Sequence, residues 1–254
     1  MRYILFSIGD FHIYSYGFMI ALGIIAAFMV AQKRAEGFGL SADSVFNLGV
    51  WAAIGGLLGA KILYFITEIP AIIENPKLLM NVATGFVVYG GIIGGILTGY
   101  IYCRIKKMEF LKYFDIVMPS IALAQAFGRI GCLLAGCCYG KETDAWYGIT
   151  FHGSPFAPEG VSLIPTQLIS AVGNLIIFFI LIYAAKKFKH PGQTAGLYLV
   201  LNSIGRFLIE FLRNDDRGNV GRLSTSQFIA IFICAAGIFF IWFTGKRKMH
   251  RRHI

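Results

Sequence analysis

Seven long apolar runs, at about residues 14–32, 45–66, 84–102, 116–135, 166–185, 194–212 and 225–243, constrain this chain more than any other feature. A helix rises about 1.5 Å per residue, so roughly 20 apolar residues cross the hydrocarbon of a bilayer. The 254 residues are 57% hydrophobic and only 14% charged, with a mean hydropathy of +0.68, which excludes a soluble globular enzyme and a disordered chain. The expected fold is an all-α integral membrane protein with seven transmembrane helices. Residues 1–254 read as a single polytopic membrane domain, without repeat, low-complexity tract or linker. No cleavable signal peptide is expected, because the segment before the first run is short and carries Asp10.

The net charge of +10 then becomes a question of sides. Lys33 and Arg34 and the basic clusters in 104–112, 186–189 and 246–252 share one side. Arg2, Lys77, Lys141, Arg213, Arg217 and Arg222 are spread over the other, with Asp10, Glu68, Glu74, Glu142, Asp144, Glu159, Asp215 and Asp216. The excess of Lys and Arg on cytoplasmic loops places the N-terminus outside and the C-terminus inside. Most of the positive charge therefore sets orientation, and no nucleic-acid partner is expected. The longest connection, about 30 residues over 136–165, lies on the outer side with Trp146, Tyr147, His152, Pro155 and Pro158, and is read as a possible lid.

Glycines cluster at Gly55-Gly56, Gly59, Gly85, Gly90-Gly91, Gly94-Gly95 and Gly99. Small residues at such spacing let helices approach closely in lipid. The density after Tyr89 also permits a break in the helix where it faces protein or water. Ionisable residues inside spans are costly and need partners. Arg206, Glu210 and Arg213, at i, i+4 and i+7, are expected on one helix face, and Arg129 follows Gly128 near the outer end of the fourth run. One account is a structural ion pair with Glu210 between two arginines. The other is an anion site, since arginine forks fit phosphate and the phosphate of the outer leaflet is a lipid head group.

Cys103 and Cys234 read as apolar span residues, whereas Cys132, Cys137 and Cys138 follow Arg129 closely. A soft-metal site, a disulfide, a nucleophilic thiolate favoured by nearby positive charge, and packed inert thiols are all compatible with that spacing. No His or fourth thiolate adjoins the cluster, so no metal ligand and no cofactor is assigned. A membrane thiol-redox protein resting on Cys137-Cys138 is a further class.

The run Gly128-Arg129-Ile130-Gly131 with Gly140 beyond it, and Arg206-Phe207-Leu208-Ile209-Glu210-Phe211-Leu212-Arg213, resemble two signatures of bacterial phosphatidylglycerol–prolipoprotein diacylglyceryl transferases. Tyr16-Gly17, Gly59-Ala60-Lys61-Ile62-Leu63-Tyr64 and Tyr89-Gly90-Gly91 agree in order, and the resemblance covers nearly the whole chain. It implies a multi-pass enzyme of the bacterial inner membrane and the family's seven-span, N-out topology. The reaction implied moves diacylglyceryl from phosphatidylglycerol to the lipobox cysteine of a prolipoprotein, releasing glycerol phosphate. By the same resemblance Arg129 and Arg206 bind phosphate, Glu210 orients Arg206, Tyr16 shapes the head-group site and Gly140 allows close approach of the loop; Arg213, part of the surplus positive charge, is carried as a further phospholipid-binding residue.

The chain departs from that pattern where protons are handled. Tyr89 stands for the family's His, Cys132 for its Asn, Cys137 for its Glu, and Asn202 for the Tyr before the sixth-run arginine. The family's His-Pro-Ser-Gln-Leu-Tyr-Glu segment is Ile164-Pro165-Thr166-Gln167-Leu168-Ile169-Ser170 here. Tyr89, Cys132 and Cys137 are accordingly carried as catalytic candidates with Arg129, Arg206 and Glu210, Cys138 being a further thiol able to relay the lipid group. Transfer to a different acceptor, or lipid binding and movement without catalysis, are the alternatives.

Overall fold

The computed structural model describes residues 3–9, 11–80, 84–214, 218–221 and 223–246. Expectations that rest on Arg2, Asp10, Asp215, Asp216, Arg217, Arg222 and the basic residues of 247–252 lie outside the described residues. In chain order the helices are α1 (Ser15–Gly37), α2 (Ala42–Thr67), the short α3 (Ile69–Glu74), α4 (Val88–Ile105), α5 (Phe110–Ala135), α6 (Thr166–Ala185), α7 (Gln193–Glu210) and α8 (Thr225–Lys246). All seven apolar runs are helical. Six helices, α1, α2, α4, α5, α6 and α8, are long and apolar enough to cross a membrane among the described residues. The 18-residue α7 falls outside that set, since Gln193, Thr194, Asn202, Ser203, Arg206 and Glu210 lower its hydropathy.

Among the described residues, three two-stranded antiparallel ribbons depart from an all-α fold: β1 (Ile4–Ile8) with β2 (Phe11–Tyr14), β3 (Ile149–Thr150) with β4 (Ser162–Leu163), and β5 (Asn219–Val220) with β6 (Leu223–Ser224). Each is too short for a period-two pattern to stand out. Gly9 and Gly221 take the positive φ that the first and third reversals need.

The chain forms two compact units, Ala31–Tyr113 and Met1–Val30 with Phe114–Ile254. In the first, α2 and α4 meet backbone to backbone. A β-carbon at Gly59 would strike the Gly90 carbonyl oxygen, and one at Gly94 would strike that of Gly55. Helix α4 continues unbroken through both glycine pairs, so their work is close packing and not the break the sequence permitted. Lys61, a charge within this unit's apolar stretch, donates to the Thr84 carbonyl at 2.6 Å. Its ammonium also lies 5.0 to 5.3 Å from the Tyr64, Phe65 and Phe86 rings.

The second unit has a core of Met118 and Ala122 from α5, Ile177 and Leu181 from α6, and Ala195 and Tyr198 from α7. Gly196 and Gly237 bring α7 and α8 close, since a β-carbon at either would crowd the other's carbonyl. Asp115 on α5 accepts from the backbone N–H of Gly192 at 2.6 Å and of Ala195 at 2.8 Å. Those are orphan donors at the start of α7, where a carboxylate also complements the helix dipole. This contact fixes the helix that carries Arg206 and Glu210.

Candidate active site

The site begins where α5 stops. Gly136, with φ +74°, donates to the Leu133 carbonyl at 3.2 Å, and Cys137 N–H donates to the Cys132 carbonyl at 3.1 Å. This pair is a Schellman closure, which a left-handed glycine makes accessible. It folds the chain back so that Cys137 returns toward Cys132. The Ser154 hydroxyl completes the helix end by donating to the Ala135 carbonyl at 2.8 Å.

Cys138 also takes a left-handed backbone, φ +61°, at a cost of about 1–2 kcal/mol for a residue with a side chain. The first turn of α6 holds that conformation. Thr166 Oγ1 donates to the Cys138 carbonyl and Gln167 Nε2 to the Cys137 carbonyl, both at 2.8 Å, and both side chains belong to residues only 1% exposed. As a result the sulfurs of Cys132, Cys137 and Cys138 all lie within 4.8 Å of one another. Hydrogen bonds from Cys132 and then Cys137, with the Arg213 guanidinium, hold the Cys138 thiol below the ordinary thiol range against the effect of burial. Cys137 is pushed up by its hydrogen bonds with Cys132 and Cys138 and by burial.

Arg213 reaches this cluster because α7 ends at Glu210. The expected i, i+7 face therefore does not form: Arg213 leaves the helix and pairs with Gly140 in an antiparallel bridge. Gly140 N–H donates to the Ile164 carbonyl and Lys141 N–H to the Leu212 carbonyl, each at 2.9 Å. A β-carbon at Gly140 would lie 2.7 Å from the Leu212 oxygen and 2.8 Å from Ile164, so no side chain fits where these three segments meet. Arg213 is 6% exposed, with its guanidinium facing Cys138.

Gly131 does the same for α1. A β-carbon there would be 3.1 Å from Met19 Cβ and 3.3 Å from Tyr16 Cα. Tyr16 consequently lies within electrostatic reach of Arg129 and all three thiols, and Arg129 within reach of Cys132. One turn into α7 from its end, Arg206 Nη2 sits 3.0 Å from Glu210 Oε2 and donates to Ser226 Oγ at 2.9 Å. Glu210 is held there with its side chain 7% exposed.

One unit thus gathers Tyr16, Arg129, Cys132, Cys137, Cys138, Gly140, Arg206, Glu210 and Arg213. Tyr89 belongs to the other unit, exposed in the first turn of α4. Sequence reasoning missed Thr166, Gln167, Asp115 and Ser226 as positioning residues. Thr166 and Gln167 stood in the segment noted for lacking the family's His and Glu, while Ser226 had no signal of its own.

Fold and site define a multi-pass membrane enzyme that sets arginines and thiols together at the ends of apolar helices. Residues 3–243 match the family model for prolipoprotein diacylglyceryl transferase. The chain is 48% identical over 239 residues to the phosphatidylglycerol–prolipoprotein diacylglyceryl transferase of Clostridium tetani (strain Massachusetts / E88), covering 94% of this chain and 96% of that one. It is 50% identical over 240 residues to the second such enzyme of Clostridium perfringens (strain 13 / Type A), covering 94% and 93%. A Finegoldia magna relative of the same name is 36% identical, with 94% of each chain covered. The chain belongs to the prolipoprotein diacylglyceryl transferase family, multi-pass transferases of the bacterial cell membrane.

Proposed function

We propose that this protein transfers the diacylglyceryl group of phosphatidylglycerol to the lipobox cysteine thiol of a prolipoprotein, at the outer face of the bacterial inner membrane. The observation that carries the proposal is that one unit holds Arg129 beside Cys132, Arg213 beside Cys138 on the turn that Gly140 keeps close, and the Arg206–Glu210 pair one turn before the end of α7. In the reaction the acceptor thiolate attacks the glyceryl carbon. The carbon–oxygen bond breaks with its electron pair on the phosphate, and glycerol phosphate leaves. Arg129 and Arg206 offset the charge growing on that phosphate, which is where fixed guanidinium groups lower a barrier most. Glu210 and Ser226 hold the Arg206 plane, Arg213 adds positive charge beside Cys138, and Tyr16 lines the head-group side. Tyr89, Cys132 and Cys137 are the further catalytic candidates.

In the same reading α7 is the seventh crossing, its charged end turned to protein, with the N-terminus outside and the C-terminus inside. The whole chain acts as one membrane domain and the 136–165 loop is its outer lid. Phe151 and Leu163 of that loop are buried, while Trp146 is 95% exposed, as suits a residue resting in the head-group region.

Membranes containing the protein, labelled phosphatidylglycerol and a lipobox peptide test the reading. Label should reach the peptide and fall at least 100-fold in Arg129→Ala and Arg206→Ala, the loss expected when a preorganised charge partner of a transition state is removed. Glycerol phosphate released without labelled peptide would assign a different acceptor. Lipid bound without release of either product would assign a lipid-binding protein.

A further inference from the structure

The transferase reading gives one cluster no defined step: three thiols placed together by a strained, half-buried turn. Cys132 lies in the last turn of its helix under a Schellman closure, Cys137 is folded back onto it, and Cys138 is held in a left-handed backbone by Thr166 and Gln167. A non-glycine residue at φ +61° is secured here by two side chains that are each 1% exposed. The sulfurs lie at most 4.8 Å apart. Three sulfurs bound at about 2.3 Å to one tetrahedral ion stand roughly 3.8 Å apart, so closure onto an ion asks for about 1 Å from three short side chains.

We infer that Cys132, Cys137 and Cys138 form a three-thiolate zinc site whose fourth position takes the thiol of the incoming acceptor. Three protein ligands and one open position are the arrangement of catalytic zinc. Three thiolates and a divalent ion leave one negative charge, which Arg129 beside Cys132 and Arg213 beside Cys138 offset. The inference rests on the transferase reading, and it supplies what that reading lacks. The family's His is Tyr89 here, and a phenol does not take a proton from a thiol at neutral pH. A thiol bound to zinc is deprotonated outright.

The step balances without a further reagent. The acceptor thiol coordinates zinc and releases its proton to water. The sulfur gives an electron pair to the glyceryl carbon as the carbon–oxygen bond breaks toward phosphate. A thioether and glycerol phosphate result, and the thioether, a weak zinc ligand, leaves. The set that replaces the family's Asn and Glu with Cys132 and Cys137 is therefore a second solution to the same deprotonation, and it revises the sequence-based expectation of no metal.

The test uses the full-length, reduced protein in lipid nanodiscs. After equilibration with zinc and dialysis, metal analysis should return about one zinc per chain, falling to near zero when Cys132 and Cys138 are both changed to Ser. Wild-type protein loaded with cobalt keeps the test independent of those variants folding. Its thiolate-to-cobalt absorption should rise by about one third when a lipobox peptide adds a fourth sulfur to three, and stay fixed with a peptide carrying Ser instead. Zinc-free protein that transfers label at the full rate overturns the inference and leaves the transferase reading standing. So does a cobalt spectrum blind to the Cys peptide, retention of copper(I) in place of zinc, or a native chain two hydrogens lighter through a disulfide. Zinc binding with the spectral response but no label transferred counts instead against the transferase reading.

Discussion

The α2–α4 pair and the turn after α5 are both built on glycine, and they use it in opposite ways. Between α2 and α4, Gly55, Gly59, Gly90 and Gly94 remove side chains so that two backbones can touch. What results is a packed apolar surface. After α5, Gly136 and Gly140 clear backbone paths so that the side chains around them meet: Cys132 with Cys137, and Arg213 with Cys138. A glycine in the first setting is judged by what it lets approach, and in the second by what its neighbours then reach. Composition alone does not distinguish the two uses.

Substitutions can break or sharpen that contrast. Gly140→Val should have the largest effect. Its side chain would press on Leu212 and Ile164 and shift the Arg213 segment, and a displacement near 1 Å at a reacting centre costs about 100-fold in rate. Labelled-lipid transfer to a lipobox peptide measures it, and transfer within a few fold of wild type would remove Gly140 from the site's construction. Gly59→Leu should act on stability, because overpacking a close helix contact costs about 1–3 kcal/mol. The unfolding midpoint in detergent reports that loss, and an unchanged midpoint would mean the α2–α4 approach carries little energy. Gln167→Leu removes the donor to the Cys137 carbonyl, worth about 1 kcal/mol of stability, so the unfolding midpoint should fall accordingly and transfer should drop as the turn loosens; an unchanged midpoint would mean that carbonyl finds another donor. Gly128→Ala should be the mildest, since its β-carbon would meet nothing within 4 Å, and stability should stay within about 0.5 kcal/mol. Loss of transfer alone in that variant would mark the space over Gly128 as room for lipid.

Much of this is legible in the sequence alone. Apolar runs near bilayer length located all seven long helices, because hydrophobic length is a property of a continuous segment. The charged residues of the sixth run marked the helix that carries the Arg206–Glu210 pair, since burying them without partners is expensive. What stayed hidden was conformational. Arg213 reads as one more residue on a helix face, and only the end of α7 at Glu210 turns it toward Gly140. Cys132-x4-Cys137-Cys138 reads as a spacing with several outcomes, and only the two left-handed residues, Gly136 and Cys138, bring its three sulfurs within 4.8 Å of one another. The ribbons were missed because strands of two to five residues are too short for a periodicity to stand out.

The Asp115 cap has a consequence for how such a chain enters the bilayer. Helix α7 is the long helix that hydropathy alone does not commit to lipid, yet its first amides find their acceptor on α5, 77 and 80 positions earlier in the chain. Its place among the helices is thus a tertiary property, available only after α5 is standing. The chain is made in that order, so α7 arrives at a berth that α5 has already shaped and before α8 can close on it, and the Asp115 carboxylate helps set where the Arg206–Glu210 pair comes to rest.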